Sequence, residues 1–194
     1  MSETLIRAFT NLPKFFGYRG ITPESFPTQD EFAKEIASRE TRYCRIKAKY
    51  NEDKKPVHII LISKKSTVLN DNNALRRILD QSGTTDILVF HEGGGPIKTG
   101  KNYQQKYPDR DISFYPIGIL VVVHPEIGYA PKYSVADAKQ VEEELKMPIS
   151  SLRSTISKND PPMVWYNWPV GSIIRIVSHS DYTGTRVRYR KLVG

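Results

Sequence analysis

The chain has 194 residues, of which 39% are hydrophobic and 26% charged, and its formal net charge is +8. This length allows one sizeable hydrophobic core or two small ones. The single cysteine, Cys44, excludes an internal disulfide and a thiolate-rich zinc site. The longest apolar run, residues 117 to 123, is too short to span a bilayer. Residues 1 to 5 lack the pattern of a secretion signal. We expect an intracellular protein without membrane contact, and the charge favours a polyanionic neighbour.

The chain opens with two helical patterns and a strand. Apolar residues at helical spacing predict a helix over residues 3 to 16, which Pro13 should kink or shorten. Thr28 and Glu31 form a capping-box pattern that predicts a second helix, reaching about residue 39. Strict alternation of outward basic and inward apolar side chains predicts a half-exposed strand over residues 43 to 50.

The next segment has the pattern of a parallel sheet. Residues 57 to 62 are apolar on both faces, which predicts a central strand. A helix over residues 71 to 81 and a buried strand over residues 86 to 91 follow, as in a right-handed crossover unit of an α/β layer. A further strand is predicted over residues 112 to 123, although Pro116 and Gly118 interrupt it.

Residues 124 to 131 are typical of a linker, and they divide the chain into domains 1–123 and 124–194. In the second domain, Ser134 with Asp137 resembles another capping box and predicts that a helix begins there.

The chain ends with a short helix and two strands. Asp160 should cap the helix, with Pro161 at its first position, where the missing N–H costs nothing. Strands are predicted over residues 173 to 177 and 186 to 193, joined through a turn at 181 to 184. The predicted fold class is α/β plus α+β: an N-terminal domain of mixed sheet and helices and a small C-terminal α+β domain.

The C-terminal residues also carry a resemblance to a known family. Its pattern comprises Ile156, Asp160-Pro161, Gly171, residues 173 to 176, Ser180, Gly184 and Tyr189-Arg190, with no gap in the spacing. It resembles the assembly domain of the small RNA-polymerase subunit that the three eukaryotic nuclear enzymes share and that has an archaeal counterpart. The order of elements in residues 1 to 123 is similar, more loosely, to the jaw domain of the same family. This chain departs from the family in having Arg153-Ser154 in place of Leu-Pro, and Asn167 in place of glycine.

The resemblance implies a non-catalytic subunit of a multisubunit DNA-dependent RNA polymerase, without a cofactor of its own and not a homo-oligomer. The C-terminal assembly domain would anchor to the largest subunit, beside other polymerase subunits. The N-terminal jaw domain, a nuclease-like layer, would contact downstream double-stranded DNA. Its location would be the nucleus, or the virion and host-cell cytoplasm for the polymerase of a large DNA virus.

Two sets of candidate site residues follow. The candidate subunit interface comprises Arg175, Thr183, Gly184, Arg186, Arg188 and Arg190. Alternation along the closing strand predicts that Arg186, Arg188 and Arg190 share one face, which points outward, and that Val187 and Tyr189 lie on the other. Arginine suits interfaces because its planar fork holds carboxylates and carbonyls, but a solvated edge strand that uses charge against aggregation is the alternative.

The second set lies in a glycine-rich loop that follows the strand predicted over residues 86 to 91. The candidate DNA-proximal residues are Gly94, Gly95, Pro96, Lys98 and Lys101. The loop lacks the spacing of a Walker motif. Lysines here would bind phosphates without reading sequence, and a plain flexible loop is the alternative.

Other interpretations of the sequence stay open. Trp165 and Trp168, three residues apart on one predicted helical face, suit either core or an interface anchor. Glu52 to Lys55 contains Glu-x-Lys, a fragment of a nuclease signature, without the converging carboxylates that hydrolysis needs. The rival functions are a free-standing nucleic-acid-binding or nuclease-like protein and a generic adaptor domain.

Overall fold

A computed structural model describes residues 1–38, 42–63, 86–93, 102–128, 130–180, 182 and 184–194. They form two compact units, Met1–Val122 and Val123–Gly194. Each unit contains one mixed sheet and its helices. The predicted combination of helices with mixed sheets is therefore confirmed at the level of fold class.

The first unit is built on a five-stranded sheet in the order β1-β2-β3-β4-β5. Its strands are β1 Ile21–Pro23, β2 Tyr43–Tyr50, β3 Pro56–Ile62, β4 Asp86–His91 and β5 Asp111–Pro116. The first three pair antiparallel, whereas β3, β4 and β5 run parallel. The parallel pair β3–β4 agrees with the predicted crossover. The helix predicted over residues 71 to 81 lies outside the described residues.

Helix α1, Glu3–Arg19, begins where the Ser2 side chain accepts a hydrogen bond from the N–H of Leu5. The helix continues through Pro13, so the predicted end at residue 16 is three residues early. It ends at Gly20, whose φ of 64° lies in the left-handed region that glycine adopts without steric cost.

Helix α2, Gln29–Ala37, confirms the predicted capping box. The Thr28 side chain accepts from the N–H of Glu31, whose carboxylate accepts in turn from the N–H of Thr28. The Phe32 ring stacks on Phe9 of α1 at a centroid distance of 4.2 Å. Packing between aromatic side chains thus joins α1 and α2.

The strand predicted over residues 112 to 123 is wrong beyond Pro116. A short helix, α3 Gly118–Val121, follows β5, because an apolar run without alternation does not distinguish a strand from a buried helical turn. The Asn11 side chain donates to the carbonyls of Leu120 and Val121 at 2.9 and 3.1 Å, which fixes this turn against α1. Residues 102–106 are also helical, which the sequence did not predict.

Cys44 lies on the buried face of β2 with only 1% of its surface exposed, as predicted for a small apolar side chain. Burial raises the pKa of its thiol, which therefore stays protonated.

The second unit has a four-stranded sheet in the order β6-β8-β9-β7. Its strands are β6 Lys132–Ala136, β7 Thr155–Ser157, β8 Ile173–Ser180 and β9 Gly184–Val193. All neighbours are antiparallel except β7 and β9, which run parallel. The two central strands contain the predicted segments, whereas both edge strands were not predicted.

Helix α4, Ala138–Leu145, starts at Asp137, whose carboxylate accepts from the N–H groups of Lys139 and Gln140. The predicted capping box is wrong, because Ser134 belongs to β6 and pairs with Arg175 across the sheet. Asp137 alone caps the helix. Helix α5, Pro161–Tyr166, starts as predicted at Asp160, although the Asp160 side chain makes no capping bond.

Two 3-10 turns, His124–Glu126 and Ile149–Ser151, complete the second unit. The first of them lies within the segment predicted as a linker. Among the described residues of both units, no helix has the length and apolar character that crossing a membrane requires.

Candidate functional site

The arginines of β9 lie on one face of the second sheet. The register places Arg186, Arg188 and Arg190 opposite Ser178, Ile176 and Ile174 of β8. Because side chains alternate along a strand, all six point to the same face. The two intervening residues, Val187 and Tyr189, point to the other face, as the alternation predicted.

These three arginines differ in exposure. Arg186 and Arg188 are exposed, whereas Arg190 is half-buried and its Nε is buried without a hydrogen-bond partner. The prediction that all three face outward is therefore wrong for Arg190. Within the described part of the chain, neither Arg188 nor Arg190 forms an ion pair with a carboxylate.

Arg188 and Arg190 line a cavity of about 300 Å³ on this face. Its other polar lining residues are Tyr133 of β6, Asp160 and Ser178. Its remaining lining residues are apolar: Pro131, Ile156, Pro161, Pro162 and Ile176. The cavity therefore combines two guanidinium groups with an apolar wall, at the lower end of the usual size of a ligand pocket.

The start of α5 forms one side of this cavity. Pro161 and Pro162 occupy the first turn, where their missing N–H groups have no helical partner to lose. The carbonyl of Asp160 accepts from the N–H of Val164 at 3.0 Å, which places Asp160 at the helix start. The Asp160 side chain makes no capping bond, and Asp160 lines the cavity together with the two arginines.

The charges around the cavity act on Tyr133. Burial raises the pKa of its hydroxyl, and the negative charge of Asp160 raises it further, whereas Arg190 and Arg188 lower it. Burial is the larger effect, so Tyr133 keeps its proton and is a neutral hydrogen-bond donor at neutral pH.

The other predicted interface residues lie elsewhere. Arg175 is on the opposite face of β8, half-buried and opposite Tyr189 of β9, and its positive charge acts to lower the pKa of the Tyr189 hydroxyl. Gly184 begins β9 with a φ of 71°, so its role is to shape the backbone. Thr183 lies outside the described residues. The predicted set is thus divided between the two faces of the sheet and the hairpin turn.

The tip of the β8–β9 hairpin extends past its neighbours. In the described part of the sheet, β6 pairs with β8 only as far as Val177, so Ser178–Ser180 pairs with Gly184–Arg186 alone. Tyr182, at the turn, is 100% exposed. This tip is a projecting two-stranded ribbon.

The two tryptophans do not share a helical face. Trp165 is fully buried within α5, which favours the core role. The helix ends at Tyr166, and Asn167 takes a left-handed φ of 54°, so Trp168 lies beyond the helix. Trp168 is half-buried and stacks on Tyr166 with ring centroids 4.3 Å apart.

In the first unit, all five candidate DNA-proximal residues, Gly94, Gly95, Pro96, Lys98 and Lys101, lie outside the described residues. The strand before them ends at His91, a buried side chain. A Cβ at Gly93 would lie 2.4 Å from the His91 ring, which explains why glycine follows this strand. The Glu92 carboxylate accepts a hydrogen bond from the hydroxyl of Ser2.

The Glu-x-Lys fragment lies in the turn between β2 and β3. There Lys55 pairs with Asp53 at 2.9 Å, and both side chains are largely exposed. Nowhere in the described ranges do three or more His, Cys, Asp or Glu side chains come together in a way that could hold a metal ion.

No model of a known protein family matches this chain, and no curated protein sequence matches it. The function is therefore argued from the sequence pattern and the geometry above.

Proposed function

We propose that this chain is a non-catalytic subunit of a multisubunit DNA-dependent RNA polymerase. Its C-terminal unit is the assembly domain that anchors to the largest subunit, and its N-terminal unit is the jaw domain beside downstream DNA. The role is positional and electrostatic, and it requires no cofactor of this chain.

One observation carries this proposal: the residues of the family pattern have specific structural tasks in the second unit. Gly171 and Gly184 have φ values of 96° and 71°, which other residues adopt only with strain. Asn167, which replaces the family's glycine, has a φ of 54°, and asparagine tolerates this region better than most residues. The departure at this position therefore keeps the backbone geometry that the family pattern implies.

The apolar residues of the pattern have a consistent place as well. Ile156, Ile174 and Ile176 are buried in one cluster with Met163 of α5 and Leu192 of β9. Asp160 and Pro161 begin the helix that covers this cluster. A pattern that specifies both the turns and the core of a small domain supports membership of the family more strongly than charge alone.

The exposed chemistry of this unit supports a docking role. The face that carries Arg186 and Arg188 presents cations with no ion-pair partner among the described residues, and the hairpin tip projects with Tyr182 exposed. Arginine and tyrosine are enriched in protein interfaces.

The first unit supports the jaw role through charge. Arg45, Lys47 and Lys49 lie along one face of β2, and Lys49 forms an ion pair with Glu24 at 3.0 Å. Lys47 is exposed and lies opposite His58 of β3. Such a short basic row adds favourable long-range attraction to DNA without a sequence preference.

Mass spectrometry of the proteins that co-purify with the tagged full-length chain tests the proposal. We expect the two largest polymerase subunits in near-stoichiometric amounts, retained after nuclease treatment. If the chain purifies alone and binds duplex DNA tightly at physiological salt, the free-standing nucleic-acid-binding alternative replaces it.

A further inference from the structure

The cavity beside α5 contains one feature that the fold does not explain. The Nε of Arg190 is buried and has no hydrogen-bond acceptor, although a guanidinium in this position normally has one. Arg188 lines the same cavity and also lacks a carboxylate partner among the described residues. Two guanidinium groups that line one cavity without a carboxylate partner favour an anionic ligand there.

The lining restricts what that acceptor can be. Pro131, Pro161 and Pro162 form an apolar wall, and Ile156 and Ile176 contribute to it. A ligand that fills this cavity must therefore carry apolar surface next to its acceptor atoms.

We propose that the cavity binds a short segment of a protein partner that carries an aspartate or glutamate next to an apolar side chain. The carboxylate accepts from Arg188 and Arg190 in the fork geometry that guanidinium groups favour. The apolar side chain packs on the proline wall. This inference rests on the docking role proposed above, and it assigns the chemistry of the segment that docks.

Asp160 favours a singly charged acceptor over a phosphate. Asp160 lines the cavity with the two arginines, and its negative charge acts on Tyr133 in the same lining, so the three charged residues carry a combined charge of +1. A carboxylate neutralises this charge, whereas a phosphate dianion would leave an excess negative charge beside Asp160. The substitution Asp160→Asn tests this charge argument. Asparagine is as good a helix N-cap as aspartate, so the substitution removes the negative charge and keeps the helix start.

The experiment uses the isotope-labelled full-length chain and a capped tripeptide with one carboxylate, acetyl-Leu-Asp-Phe-amide. Nuclear magnetic resonance follows the amides of Tyr133 and Ser178 during titration. We expect saturable shifts that the matched peptide acetyl-Leu-Asn-Phe-amide does not produce. Arg188→Gln and Arg190→Gln should each weaken binding at least tenfold, whereas Asp160→Asn should tighten it severalfold.

Arg186→Gln is the matched control, because Arg186 shares the face of β9 but does not line the cavity. Equal losses from Arg186→Gln and Arg188→Gln would replace the cavity with a diffuse basic surface. Inorganic phosphate or a ten-base-pair duplex that binds more tightly than the acidic peptide would also overturn the proposal.

The outcome is separable from that of the proposed function. If the acidic peptide does not bind although polymerase subunits co-purify with the chain, the cavity assignment fails and the polymerase role stands. If the peptide binds but no polymerase subunit co-purifies, the cavity is an acidic-segment site in a different complex. The amide spectrum of each variant shows whether that variant is folded. The comparison of the two peptides uses the unaltered chain, so its result does not depend on the folding of any variant.

Discussion

The hydroxyl of Tyr189 on β9 donates a hydrogen bond to the carboxylate of Glu144 on α4. Tyr189 is buried, and its ring packs with Val141 and Ile173 between the helix and the sheet. Burial raises the pKa of the Tyr189 hydroxyl, and the bond to Glu144 raises it further. The tyrosine therefore remains a donor at neutral pH, and it links α4 to the closing strand.

Replacing Tyr189 with phenylalanine removes this bond and keeps the buried ring. We expect the free energy of unfolding to fall by about 1 kcal/mol, measured by urea denaturation. Tyr189→Ala should cost about 3 to 5 kcal/mol, because it also leaves a cavity. Glu143→Gln, next to the acceptor and exposed, is the control and should change little. A Tyr189→Phe variant as stable as the parent would contradict a stabilising role for the bond.

Asn167 provides a test of backbone strain. Its left-handed φ of 54° costs most residues about 1 to 2 kcal/mol. We therefore expect Asn167→Ala to be about 1 kcal/mol less stable than the parent and Asn167→Gly to remain within about 0.5 kcal/mol of it. Asn159→Ala, at an exposed turn residue without positive φ, is the matched control. Equal stability of the alanine and glycine variants would show that this turn is not strained.

His58 makes the stability of the protein depend on pH. Burial, with the positive charges of Arg45 and Lys47, lowers the pKa of His58 from 6.5 to about 4. The unfolded chain takes up this proton near its ordinary pKa, so the stability contributed by neutral His58 is complete above about pH 6.5 and is lost as the pH falls towards 4.

Between pH 7 and pH 5, the free energy of unfolding should fall by about 2 kcal/mol more in the parent than in His58→Gln. Denaturation of both proteins across this pH range measures the difference. Parallel pH profiles would mean that His58 has the same pKa in the folded and the unfolded chain.

Lys98 and Lys101 lie outside the described residues, and their contact with DNA stays a prediction. If both bind phosphates, replacing them with alanine should reduce the slope of log affinity against log salt concentration by about two, measured for downstream DNA held by the proposed polymerase complex. Lys139→Ala with Lys158→Ala, two exposed lysines of the second unit, is the charge-matched control. An unchanged slope in the loop variant would place the DNA contact elsewhere.

The sequence predicted those features whose determinants are local. The alternation in residues 43 to 50 and the Thr28 capping box each involve neighbours along the chain, and the structure confirms both. The edge strand β7 was missed because its three residues pair with Lys191–Val193, more than thirty positions away. No local pattern marks such a pairing.

The candidate site was predicted only in part, because some of its features are local to β9 and others depend on distant elements. The alternation of β9 predicted that its arginines share a face, but the burial of Arg190 depends on side chains contributed by other elements. Neither the proline wall nor the place of Asp160 beside the arginines follows from the composition of β9 alone. A cavity formed by residues of four strands and a helix start is a tertiary property.

The buried thiol of Cys44 also makes the first unit chemically addressable in isolation. Cys44 is the only cysteine of the chain, so a thiol reagent reacts at this site alone. Because its side chain is buried, the reagent can reach it only when the structure around β2 opens. The rate of alkylation in native buffer therefore measures how often the first unit opens around β2. Added DNA or another protein that binds the first unit would slow this reaction.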